Sequence, residues 1–267
     1  MARRLEGKSA IIVGAGQQPG DRLGNGRAIA MRFAAEGARV FCVDRDHARA
    51  QETVALIASA GGDALAHAAD VTKSADCAAM IEAARVRSGR IDILVNNVGI
   101  GGGGDAPAHL IEEAAWDRIL AVNLKSCMLT TRHALPVMRT QNSGAIVNVA
   151  SLAAIAGAHQ LAYEVSKAGV NRLTAHVALG NAKYGVRCNA IMLGLVDTPM
   201  AVGGIAAASG RPIAEVRAER NARVPLAGGM GDASDTANAA LFLASEEARF
   251  ITGAVLPVDG GMGVRIG

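Results

Sequence analysis

The sequence predicts an α/β fold: a doubly wound, seven-stranded parallel sheet with helices on both faces. Three observations carry that prediction. Short apolar runs alternate with longer amphipathic stretches from end to end; the runs lack strict polar alternation; and glycines gather where runs stop. Apolar runs without alternation mark strands covered on both faces. Their regular alternation with helical patterns implies right-handed β-α-β units. A chain of 267 residues is long enough to bury a sizeable core as one domain, expected to span 1–267.

The elements follow in order. The first strand, at 9–13, runs into Gly14-Ala15-Gly16, and a loop continues to Gly24-Asn25-Gly26 before a helix at 27–36. A second strand at 39–43 ends at Asp44-Arg45, and a helix at 48–60 follows. The third strand, 64–67, leads to Asp70-Val71 and a helix at 74–87. The fourth, 91–95, ends in Asn96-Asn97-Val98-Gly99, with a long helical pattern at 112–139 that contains Asn123. The fifth, 145–149, leads to Ser151, and a helix at 163–184 opens on Tyr163. The sixth strand is at 186–191, and a helix at 233–245 precedes the last strand at 254–258. Residues 193–226 hold Pro199, Gly203-Gly204, Gly210, Pro212 and Pro225 and fit no single element. A connection this long in a compact domain is either a functional lid, here about 194–226, or a peripheral helical hairpin.

Composition excludes several classes. Apolar residues at 51% and charged residues at 19% exclude a disordered chain. A net charge of +3 with scattered basic residues argues against nucleic-acid binding. No apolar run approaches a membrane span, and the apolar run after Met1-Ala-Arg-Arg is too short for a signal peptide. A cytoplasmic location is expected. The four cysteines form no C-x-x-C pair and are expected as reduced, buried thiols. No His/Cys/Asp spacing suggests a metal site. With 32 Gly and only two Tyr, each tyrosine invites a reason.

Glycines between a first strand and a first helix let backbone N–H groups approach a pyrophosphate at the helix N-terminus. Asp44 at the end of the second strand is placed to accept from adenosine ribose hydroxyls and to repel a 2′-phosphate, whereas Arg45 beside it could accommodate one. Tyr163 and Lys167 lie four apart on one helix face. An ammonium there stabilises a phenolate, and such a tyrosine exchanges a proton with an alcohol or carbonyl oxygen.

The ordered set of glycine loop, Asp70-Val71, Asn96-Asn97-Val98-Gly99, Asn123, Ser151, Tyr163-x-x-x-Lys167 and Val258-Asp259-Gly260-Gly261 resembles the short-chain dehydrogenase/reductase family in its single-domain, Rossmann-like type. The resemblance implies that Tyr163 is the general acid/base. Lys167 would favour its phenolate and bind the nicotinamide ribose, Ser151 would hold the reacting oxygen, and Asn123 would anchor a water in a proton relay. It implies a cofactor cleft lined by Gly14, Gly24, Asn25, Gly26, Asp44, Arg45, Asp70, Val71, Asn97, Gly99, Val196 and Thr198, and a homotetramer with 255–267 near an interface. Departures from the family pattern are the long loop, with nine residues between Gly14 and Gly24, and Val13, Val98 and Leu193 where other residues are customary. Arg22 in that loop either assists the phosphates or stands in solvent.

The expected activity is NAD(H)-dependent interconversion of a secondary alcohol and a ketone, with NADP less favoured. The alternatives are a lyase of the halohydrin dehalogenase type and a noncatalytic NAD-binding protein. The expected pocket at 101–105, 152–155, 193–196 and 199–220 is mainly small and aliphatic. It favours a neutral, cyclic or hydrophobic alcohol, with a sugar or hydroxy acid open.

Overall fold

The computed structural model describes residues 3–265; the last two residues of the 255–267 segment fall outside them. Strands β1 (Ser9–Val13), β2 (Arg39–Asp44), β3 (Asp63–Ala68), β4 (Ile93–Asn96), β5 (Gly144–Ser151), β6 (Val186–Leu193) and β7 (Val255–Val258) form one sheet in the order β3-β2-β1-β4-β5-β6-β7. Every neighbouring pair is parallel. The helices are α1 (Asn25–Ala35), α2 (His47–Ser59), α3 (Ser74–Ser88), α4 (Glu113–Leu120), α5 (Ser126–Gln141), α6 (Leu161–Asn181), α7 (Gly204–Ser209), α8 (Ile213–Ala222) and α9 (Ala233–Ala244). Strand order reverses between β1 and β4, which opens a crevice at the carboxyl edge of the sheet.

Successive side chains of a strand point to opposite faces, so β1 feeds two cores. Ile12 packs with Ile29 and Phe33 of α1, Val95, Val147 and Leu241 of α9. Ile11 packs on the other face with Phe41, Met80 of α3, Leu94, and Leu129 and Met138 of α5. Removing one such aliphatic side chain from water contributes about 1.5–3 kcal/mol. Because both faces are covered, β1 is buried along its whole length, and its apolar run needs no alternation. The edge strand β3 behaves differently, its residues alternating between exposed and half-buried.

The predicted helix at 112–139 is broken by a π-helical turn over Ala121–Lys125, between α4 and α5. Such a turn admits one extra residue without ending the helix, and here it turns Asn123 fully inward. Tyr184 ends a short 3₁₀ turn after α6, packed in the second core with the Arg139 guanidinium 4.9 Å from its ring centre. All four cysteines are buried and free; burial pushes the Cys42 and Cys188 thiols up to about 12 and Cys77 to about 11. The 194–226 connection contains a π-helical turn (Pro199–Gly203), α7 and α8. No described helix is long and apolar enough to cross a membrane, and no described His/Cys/Asp/Glu group could hold a metal ion.

Candidate active site

The glycine loop is built around one close approach. A Cβ on Gly26 would sit 1.8 Å from the Gly14 carbonyl oxygen, so only glycine lets α1 start that near to β1. The Asn97 side-chain amide donates to the same carbonyl at 3.0 Å, and the Asn97 N–H donates to Val13 at 3.1 Å. Gly14 has φ +81°, the left-handed region that turns the chain out of β1. The carboxylate of Asp44 accepts from the Gly16 N–H at 3.0 Å and from the Asp46 N–H at 3.0 Å, which fixes it beside the loop. Arg45 is exposed next to it.

The added length of the loop has its own closure. The Gln17 side chain accepts from the Gly24 N–H at 2.7 Å and donates to the Arg22 carbonyl at 3.1 Å. The Arg22 side chain is exposed, with its Nε 3.4 Å from Asp197. Arg217 of α8 bonds the same Asp197 oxygen at 2.8 Å and reaches Asp21 at 3.1 Å. Gly20 lies against Pro199. The loop is thereby tied to the connection after β6.

The cradle fits a dinucleotide. α1 begins without a side-chain cap and without an acidic residue in its first turn. Its leading N–H groups and positive dipole end therefore remain for an anion. The Oδ1 of Asn25 is buried with no hydrogen-bond partner among the described residues. Asp70 lies at the loop after β3, its carboxylate accepting from the Thr72 hydroxyl at 2.7 Å and N–H at 3.1 Å. Those bonds, together with Lys73, hold it below the usual carboxylate range. Val71 is buried beside it, and Val196 and Thr198 are buried beyond β6; the Thr198 hydroxyl caps the following turn by accepting from Ala201 at 3.3 Å.

Beyond β4 the structure brings Tyr163, Lys167, Asn123 and Gly99 together. Lys167 is 4% exposed; its ammonium donates to the Val149 carbonyl at 2.9 Å and stands 5.6 Å from the Tyr163 ring centre. A Cβ on Gly99 would meet that ammonium at 3.2 Å, and one on Gly101 would meet the Tyr163 ring at 3.6 Å. Asn123 accepts from the Ile100 N–H at 2.8 Å and donates to the Ile100 carbonyl at 2.9 Å and to Ser166 at 3.0 Å. It clamps the segment after β4 to α6. Ser151 ends β5, its hydroxyl accepting from the Ala153 N–H at 3.2 Å.

Two structural groups had weaker signals in the sequence. Asp105, far from α6 in sequence, accepts from the N–H groups of Ala162 and Tyr163, both at 2.9 Å. It caps a helix that has no side-chain cap of its own. Asn148 of β5 faces its register partner Asn96, taking its amide N–H at 2.8 Å and donating to Thr174 at 2.9 Å. An amide in the otherwise apolar run 144–150 was a readable sign of this pairing; Asp105 carried no local sign.

Comparisons with known proteins decide the family. A family model described as "Enoyl-(Acyl carrier protein) reductase" matches residues 21–263. The chain belongs to the short-chain dehydrogenase/reductase family. Dehydrogenases of this family use a nicotinamide cofactor, and this chain is an oxidoreductase of that kind. It is 38% identical to 2-(S)-hydroxypropyl-CoM dehydrogenase 3 of Xanthobacter autotrophicus, over 98% of this chain and 99% of that protein. It is 38% identical to 3beta-hydroxysteroid dehydrogenase 1 of Eggerthella lenta, over 97% of this chain and 94% of that one. A solved structure from Burkholderia xenovorans, assigned to the same family, superposes with a TM-score of 0.93 at 45% identity, covering all of both chains.

Asp105→Ala is expected to cost about 1–2 kcal/mol in denaturant unfolding, the range for losing a helix cap, with Asp105→Asn recovering part of it. Unchanged stability in Asp105→Ala would remove this carboxylate as the support of α6.

Proposed function

We propose that the chain is an NAD(H)-dependent oxidoreductase that interconverts a secondary alcohol and a ketone, with Tyr163 as general acid/base. The observation that carries this reading is the buried Lys167 ammonium beside the Tyr163 ring, at the edge of a cradle fitted to a dinucleotide. The bound nicotinamide supplies or accepts the hydride. In reduction, Tyr163 donates its phenolic proton to the carbonyl oxygen; in oxidation, it takes the hydroxyl proton. Lys167 stabilises the phenolate by its charge and reaches toward the nicotinamide ribose. Ser151 orients the reacting oxygen from the end of β5, and Asn123 anchors the water through which Lys167 exchanges protons.

Around the cofactor, Gly14, Gly24, Asn25 and Gly26 take the pyrophosphate at the start of α1. Asp70 and Val71 take the adenine, Asn97 and Gly99 line the cleft, and Val196 and Thr198 meet the carboxamide. Asp44 selects NAD. Its carboxylate, fixed by two backbone N–H groups, accepts from ribose hydroxyls and repels a 2′-phosphate; Arg45, exposed, is the residue that would oppose this preference. Residues 194–226, with α7 and α8, serve as the lid. Four buried, unbridged thiols suit a reducing compartment such as the cytoplasm. Large exposed apolar side chains at Leu179, Phe250 and Val264 suit a homotetramer.

Tyr163→Phe removes the proton donor while keeping the ring. It is expected to lower turnover of a ketone panel by at least about a thousandfold, the scale of positioned acid–base catalysis, with NADH affinity kept within a few fold in a fluorescence titration. Retained turnover would take Tyr163 out of the mechanism. Asp44→Ala should shift the NADH/NADPH ratio of kcat/KM toward NADPH by about tenfold or more, and an unaltered ratio would overturn the ribose assignment. Light scattering should give the mass of four chains; a monomer would contradict the assembly.

A further inference from the structure

The glycine loop and the connection after β6 meet although the sheet keeps their strands apart. β1 and β6 are separated in the sheet by β4 and β5, which at the usual strand spacing is about 14 Å. All four strands are parallel, so both segments leave at the same carboxyl edge. A contact between them therefore spans the crevice over the ends of β4 and β5, where Asn97 and Ser151 lie. Four charged side chains make it. Arg217 Nε donates to Asp197 Oδ2 at 2.8 Å, with Arg217 23% and Asp197 13% exposed. The other two come from the loop: Asp21 accepts from the Arg217 terminal nitrogen at 3.1 Å, and Arg22 Nε stands 3.4 Å from the same Asp197 oxygen. Both loop side chains are more than half exposed.

The two sides are held with different firmness. Asp197 is a fixed post: its N–H donates to the Gly231 carbonyl at 2.9 Å, and Val196 beside it bridges to Gly231, just ahead of α9. Its short bond to Arg217 is largely shielded from water. The loop is one preformed piece, because Gln17 ties Gly24 to Arg22 within it. Its tip rests on the post through exposed charges and through Gly20, where a Cβ would stand 2.9 Å from Pro199. Exposed ion pairs are weak and screened by salt. The contacts of Asp21 and Arg22 are therefore the ones that part first, while Asp197 and Arg217 stay together.

We propose that Asp21 and Arg22, docked on the Asp197–Arg217 pair, form a strap across the crevice that sets how fast the nicotinamide coenzyme is released. This rests on the reading of the crevice as the coenzyme site, and it adds to the 194–226 lid the loop that fastens it. At one end of the strap lie Gly24, Asn25 and Gly26, assigned to the pyrophosphate; at the other lie Val196 and Thr198, assigned to the carboxamide. Coenzyme held at both ends stays enclosed until the strap parts. The four charged side chains are positioning residues, since they hold one another and touch no reacting atom. The added length of the loop is what carries Asp21 and Arg22 to Asp197.

The test loads the enzyme with NADH, chases it with excess NAD, and follows the loss of bound-coenzyme fluorescence by stopped flow, with NADPH and NADP in parallel. Asp21→Asn should release coenzyme at least about threefold faster, the scale of a lost surface ion pair, and Asp21→Glu should keep the wild-type rate. In an Arg217→Gln background, Asp21→Asn should add nothing further. A disulfide joining Gly20→Cys to Pro199→Cys, oxidised after loading, should act in the opposite direction, slowing release by at least about tenfold until reductant is added. A variant that merely loosened the fold would not slow release. Unchanged release in Asp21→Asn, or a disulfide that forms and leaves release at the wild-type rate, would overturn the strap while coenzyme binding stands. If the disulfide does not form, the Asp21 variants decide. If neither coenzyme binds, the reading of the crevice fails, and the strap falls with it.

Discussion

The approach of Gly26 to the Gly14 carbonyl is the constraint on which the site depends. It lets α1 begin directly over the end of β1, with its uncapped N-terminus facing the crevice where strand order reverses. A side chain at Gly26 would push that helix start away from the strand. The amide of Asn97 holds the same carbonyl from β4. One short contact thus aligns the two strands that flank the crevice with the helix that faces it.

Everything on the far side of the crevice is referenced to that alignment. Asn97 is followed by Gly99 and Ile100; Gly99 lies against the Lys167 ammonium, and Ile100 is held on both backbone groups by Asn123. Asn123 reaches it because the π-helical turn rotates it inward. Asp105 then caps α6 at Tyr163. Lys167 is oriented from β5 through Val149. Tyr163 and Lys167 are therefore placed by Asn123 and Asp105, which act through the segment beyond β4, and by β5 through Val149. Such multiple support is what holds a phenol and an ammonium in a reproducible geometry.

Much of this was legible in the chain. Unalternating apolar runs gave the parallel sheet, since β1, β4 and β5 are covered on both faces. Tyr163 and Lys167 share a helical face by spacing alone. What escaped depends on distance in sequence. The tie of Arg22 and Arg217 to Asp197 joins three remote segments. The cap from Asp105 crosses from a glycine-rich loop to α6. The break in the 112–139 helix escaped because a π-helical turn leaves the amphipathic pattern nearly unchanged.

The central claim is direct hydride exchange between coenzyme and the carbinol carbon at the Tyr163 site. Reduction of a ketone with NADH carrying deuterium at each face of C4 in turn, with the product read by mass spectrometry, tests it most directly. The account predicts that one of the two labelled coenzymes delivers its deuterium to the carbinol carbon and the other delivers none. Product without deuterium from either would contradict it.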